Sequence, residues 1–317
     1  MEILRKRTPI DEVIENPDTP EHLKSRLEMV QSARRFAVDE LLLPDNESYQ
    51  TFADLERDYV VWNVMAAPEF SLQAKTWCYP IVGCVAYRGY FAEGKARGLG
   101  GRLRDDGYDV FVGGVAAYST LGRFADPVLN TMMRWSDVDL VATLFHELAH
   151  QKLFIKGDTG FNESFATAVA EIGMARWLAA HGKESEISGY IGRGELRETL
   201  MALVDGAKIE LEALYNDDLD DEVKRGRKKE ILEGLSADAG QVVEQQPFAA
   251  NNWLKAPLNN ARLASLVLYR GQLDDFRRLL ERCENDLSCF YQRVESIAEL
   301  PQEERSDLLK KSAVADH

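Results

Sequence analysis

Phe145-His146-Glu147-Leu148-Ala149-His150-Gln151 decides how this 317-residue chain is read. The chain has only five histidines, and two of them stand here four residues apart. On an α-helix, residues i and i+4 share one face, so both imidazoles can grip a single ion. Glu147 stands to the side of that face, where it reaches a water beside the ion rather than the ion itself. Two histidines in this spacing, with a glutamate beside the first, form the pattern of zinc-assisted hydrolysis. The bland alternative is two packing or surface histidines that share the spacing by chance.

The flanks fit a helix. Ser136-Asp137-Val138-Asp139 resembles a capping box, with Asp139 where Glu or Gln is usual. Val138, Val141, Ala142, Phe145, Leu148 and Ala149 supply a buried stripe. Gly157 and Gly160 are expected to end the helix and turn the chain. A catalytic zinc needs a third protein ligand and an open position. Leu153 and Lys156 occupy the places where the metzincin pattern has Gly and His, so that class is excluded. The downstream carboxylates are Asp158, Glu163 and Glu171. Glu163 is favoured, because a reversal at Lys156–Gly160 followed by a second helix from Phe161 to about Ala180 brings it level with His150. Asp158 is better used as a helix cap. Glu171 either accepts from a ligand histidine or is a solvated helix charge. His181, before Gly182, reads as a partner for a helix C-terminus.

Working outward, residues 19–43 read as an amphipathic helix with Thr19 as N-cap and Pro20 at its first position. Strands are expected at Tyr59–Val64, Val85–Tyr87 and Val110–Val115, with a glycine-weakened helix at Phe91–Leu103. Residues 205–245 read as a charged helical hairpin and 258–282 as one helix. The expectation is α+β: a mainly helical, zincin-like fold with a small sheet in the N-terminal half. It is read as a single unit over 1–317. Within it, 1–135 is helix plus sheet, 136–182 the metal-site helix pair and 183–317 a helical remainder.

Fifty-three Asp plus Glu against 38 Lys plus Arg give a net charge of −15, which disfavours nucleic acid as a partner. No apolar run is long enough to span a membrane. Met1–Arg7 is charged and lacks a signal peptide's apolar segment, so the chain is either cytoplasmic or begins after a removed leader. Cys78 and Cys84, separated by a segment holding Pro80 and Gly83, are positioned for a turn and a disulfide. Cys283 and Cys289 lie in a segment that reads as partly helical, and free thiols are the favoured expectation there.

The chain resembles the bacterial family described as putative aminopeptidases, which are gluzincin-type zinc metallopeptidases. The resemblance runs through Trp77–Pro80, Gly83–Phe91, Gly107–Val110, Gly113–Gly122, Phe145–Gln151 and Phe161–Ala166. It implies Zn²⁺ held by His146, His150 and Glu163, Glu147 as general base, and a peptide substrate. It also implies a periplasmic or outer-envelope location, with a possible lipid anchor in a removed leader, and it favours the Cys78–Cys84 disulfide. The Gly-x-Met-Glu-Asn element by which gluzincin aminopeptidases capture a free amine is absent. Gly113 and Gly114 instead let a peptide backbone approach an edge strand, or simply mark a bend. Tyr118, Asn260 and Tyr269 are candidate oxyanion donors by residue type, with Tyr118 preferred for its place in the glycine-rich segment. The rival functions are an envelope peptide-binding or scaffold protein without turnover, and a zinc hydrolase of a non-peptide amide.

Overall fold

A computed structural model of the chain describes residues 2–79, 83–117, 125–245, 257–266 and 272–313. These fold as α+β, mainly helical with small sheets. The chain forms two compact units, each assembled from segments distant in sequence. One comprises Met1–Asp58, Ala116–Ile187 and Leu268–His317; the other comprises Tyr59–Val115 and Ser188–Val267. The 136–182 segment lies wholly in the first.

In the first unit, the helices Asp137–Lys152 and Thr159–Ala180 pack against each other, and helix Glu21–Asp39 packs across them. The buried side chains that join them include Val30, Ala33, Ala37, Leu144, Phe145, Leu148, Val169 and Met174. Gly173 permits the close approach: a Cβ there would stand 2.7 Å from Leu41 and 2.9 Å from the Phe145 ring. Helices Leu273–Arg282, Leu287–Ala298 and Gln302–Ala313 complete the helical part. The Phe165 ring lies 6.0 Å from both Phe276 and Phe290 and 6.2 Å from Tyr291. A small sheet pairs Thr51–Ala53 antiparallel with Arg7–Pro9 and parallel with Val128–Leu129.

In the second unit, Val61–Pro68 is the central strand, antiparallel to both Arg88–Tyr90 and Tyr108–Val115. Helix Glu93–Asp105 covers this sheet around Val64, Ala66, Ala96, Leu103 and Val110. Helices Ile187–Asn216 and Asp221–Glu244 form the hairpin, joined through Val204, Leu211 and Leu235 to Leu263 of the short helix Asn260–Ser265. Lys228, buried, donates to Asp109 at 2.7 Å and to the Glu69 carbonyl at 2.8 Å, which ties the hairpin to the sheet.

Several local expectations need correction. The first long helix spans Glu21–Asp39, with Pro20 rather than Thr19 as N-cap and no side-chain cap bond. The Pro20 carbonyl accepts from Lys24, so the first helical turn closes without Thr19. The strands Val61–Pro68 and Tyr108–Val115 run longer than read, while of the segment expected at Val85–Tyr87 only Val85 is in a strand, and Ala86 and Tyr87 link strands Gly83–Val85 and Arg88–Tyr90. The glycine-rich helix forms because Gly100 lies against the sheet, where a Cβ would meet Val112 at 3.0 Å, and Gly94, Gly98 and Gly101 face open space. The helix expected over 258–282 is two helices, Asn260–Ser265 and Leu273–Arg282, in different units. Asn259 caps the first by accepting from Arg262 N, and Asp274 and Asp275 favour a fresh helix start in the second.

Both cysteine pairs are bonded, Cys78–Cys84 across paired strands and Cys283–Cys289 between two helices. The second corrects the expectation of free thiols. Cys283 caps the end of one helix, Cys289 lies in the first turn of the next, and Glu284 and Asn285 turn the chain between them in left-handed conformations, φ 53° and 60°. No helix among the described residues is long and apolar enough to cross a membrane.

Candidate metal centre

Helix Asp137–Lys152 starts where the cap predicts. Ser136 Oγ accepts from Asp139 N at 3.1 Å, and its hydroxyl donates to the Asp139 carboxylate at 2.7 Å. The helix ends at Lys152, and Gly157, with φ of +87°, makes the reversal. The next helix starts at Thr159, so Gly160 lies within its first turn rather than before it. Asp158 is its cap, accepting from Phe161 N. The helix runs to Ala180, and Gly182, with φ of +65°, leads the chain away.

The reversal is closed by Asn162. Its side-chain oxygen accepts from Ile155 N and its amide donates to Ile155 O, both at 2.8 Å. A buried amide that satisfies both polar groups of one peptide residue fixes the loop against the helix start. Glu163 is the next residue.

This geometry brings His146, His150 and Glu163 together. The Nε2 atoms of the two histidines lie 3.1 Å apart. Glu163 Oε2 lies 3.1 Å from His146 Nε2, and its Oε1 lies 3.5 Å from His150 Nε2. His150 is buried, and the other two are partly buried. Burial raises the Glu163 pKa, but hydrogen bonds from His146 and His150 and their charge outweigh it and bring it down to about 2. The group is therefore a carboxylate in the folded protein, as a metal ligand must be.

The donor set fits a metal ion. A tetrahedral site with bonds of about 2.0–2.1 Å separates its donors by roughly 3.3 Å. The three separations here are of that size. With both imidazoles neutral and protonated at Nδ1, each Nε2 would present a lone pair to the space between them. A divalent cation there would satisfy both nitrogens and the carboxylate at once. His146, His150 and Glu163 are the residues that could hold it.

The other candidates fall elsewhere. Glu147 follows His146 on the same helix and is half-buried. Glu171 does not serve a ligand histidine: it pairs with Arg277 through two bonds of 2.7 and 2.8 Å. His181 is at the helix C-terminus as expected, bonded to the Trp177 carbonyl at 2.8 Å. Asn260, in the second unit, is committed to Tyr215 Oη, Pro68 O and Glu69 O, which leaves it a structural role. Gly113 and Gly114 lie on the edge strand of the second unit, where Gly114 admits the Tyr59 ring against the backbone. Tyr118 and Tyr269 lie outside the described residues. Sequence reading missed Asn162, Arg277 and Arg305. Only Asn162 carried a signal, its place beside Glu163 at a helix start.

No curated protein and no solved structure matches the chain. The family model described as "Putative aminopeptidase" matches residues 1–309, nearly the whole length. The chain belongs to that family.

Proposed function

We propose that the protein is a zinc-dependent peptidase with a gluzincin-like site on a zincin-like fold. The observation that carries this reading is the convergence of His146, His150 and Glu163 within bonding distance of one ion, with Glu147 next to His146 on the same helix. Membership of a family described as aminopeptidases supports a peptide substrate. A zinc ion held there supplies Lewis acidity, which polarises a carbonyl and lowers the pKa of water to about 7.

The chain's residues do the rest. His146 and His150 present their Nε2 atoms from successive turns of one helix, 3.1 Å apart. Glu163 adds negative charge and stays ionised over the working pH range. The Glu147 carboxylate takes a proton from the attacking water and delivers it to the leaving amine, the two halves of general base and general acid catalysis. The two disulfides support an oxidising compartment outside the cytoplasm, in keeping with an envelope protein.

The test is peptide cleavage by the zinc-loaded protein and its Glu147→Gln variant. The variant should keep its zinc and lose at least 100-fold in rate, the scale expected for a lost general base. Full activity in Glu147→Gln would sink this role.

A further inference from the structure

Beside the candidate metal-ligand set stands an exposed aromatic side chain. Phe154 is 47% exposed, although it lies only four residues beyond the buried His150. Its ring stands edge-on to the His150 imidazole, centroids 6.3 Å apart at 80°. In this unit the other large apolar side chains left exposed among the described residues are Leu42 and Leu308, on other elements.

The exposed ring is not on a loose loop. Leu153, before it, is extended and bonds back to the Ala149 carbonyl. Ile155, after it, has both backbone groups held by the Asn162 amide. The Phe154 backbone is thus held on both sides, with its ring beside His150. A solvent-facing aromatic on a fixed backbone, in contact with a metal-ligand imidazole, is prearranged to receive apolar surface.

We propose that Phe154 is a specificity-determining residue that packs against an apolar substrate side chain flanking the scissile bond. The substrate class is then peptides with Leu, Met or Phe at one of the two flanking positions. The proposal rests on the peptidase reading and names its substrate.

The test is an equimolar octapeptide library digested by zinc-loaded wild-type, Phe154→Ala and Phe154→Leu proteins, with cleavage sites read by mass spectrometry. Wild type should favour Leu, Met and Phe over Asp and Ser at one flanking position. Phe154→Ala should lower that preference by about tenfold, and Phe154→Leu should keep most of it. Zinc content and thermal midpoint should be the same in all three. Equal preferences in wild type and Phe154→Ala overturn the proposal, as does a wild type indifferent to apolar side chains.

A binding arm separates this proposal from the peptidase reading. Fluorescence anisotropy with the Glu147→Gln protein compares a labelled Leu-centred octapeptide with its Asp-centred twin, with and without Phe154→Ala. Selective binding that depends on Phe154 without any turnover by wild type removes the peptidase reading and leaves Phe154 a determinant of apolar peptide binding alone. Absence of both binding preference and cleavage preference removes the proposal.

Discussion

Arg305 and Asp158 form an ion pair at 3.2 Å in which both side chains are buried. Asp158 caps the helix that carries Glu163, so a residue of the Gln302–Ala313 helix holds the cap of that helix. Arg305 also donates to the Ala298 carbonyl, and its guanidinium lies over the Phe161 ring at 5.4 Å. Removing one partner of a buried pair leaves the other charge unpaired, at a cost of about 3–5 kcal/mol. Arg305→Met should lower the stability of the metal-free protein by that amount in urea unfolding. Asp158→Asn keeps a capping side chain, so adding it to Arg305→Met should recover much of the loss. A double variant no more stable than Arg305→Met would contradict the pairing.

Gly173 tests the packing of the helices that carry His146, His150 and Glu163. Replacing a mid-helix glycine with alanine gains about 1 kcal/mol of helix propensity. Here the added Cβ would press on Leu41 at 2.7 Å and on Phe145 at 2.9 Å, and overpacking costs roughly 1–3 kcal/mol. The second effect should win, so Gly173→Ala should unfold at lower temperature than wild type. A higher midpoint would show that the two helices can move apart freely.

Cys283–Cys289 closes a short loop, with a sequence separation of 6, between the end of one helix and the start of another. A loop of this size is worth about 2 kcal/mol in the chain-entropy account. A Cys283→Ser/Cys289→Ser variant should lose that much stability under non-reducing conditions. Equal stability of variant and wild type would argue that these sulfurs are not bonded.

Glu163 sets a pH dependence in the metal-free protein. Its carboxyl titrates near 4.5 when unperturbed and at about 2 when folded. A depressed carboxyl pKa stabilises the fold fully above the unfolded value, and the benefit fades as pH falls through the folded one. Wild type should therefore exceed Glu163→Gln in stability at pH 6, and the gap should close between about pH 4.5 and 2. A gap independent of pH across that window would mean that the histidine contacts do not hold the carboxylate.

The helix pair Asp137–Lys152 and Thr159–Ala180 is largely legible in the sequence because its signals are local. Ser136, the His146–His150 spacing, Asp158 and Gly182 each act within a turn or two of themselves. Glu163 followed from counting residues on either side of one reversal. What lay beyond reach depends on partners far along the chain. Glu171 looked like a solvated or ligand-supporting charge because Arg277 is 106 residues away. Residues 258–282 looked like one helix because apolar periodicity continues across a boundary between units. The cysteine pair 283–289 was misread because a helical pattern hides the left-handed turn at Glu284 and Asn285.

Zinc stoichiometry tests the metal centre most directly. Metal-stripped protein is incubated with zinc, desalted and analysed by atomic absorption, for wild type, Glu147→Gln, His146→Ala and Glu163→Ala. The site predicts about one zinc per chain in wild type and in Glu147→Gln, and far less in the two ligand variants. Wild type without bound zinc, or zinc fully retained after loss of His146 or Glu163, would contradict a centre built from His146, His150 and Glu163.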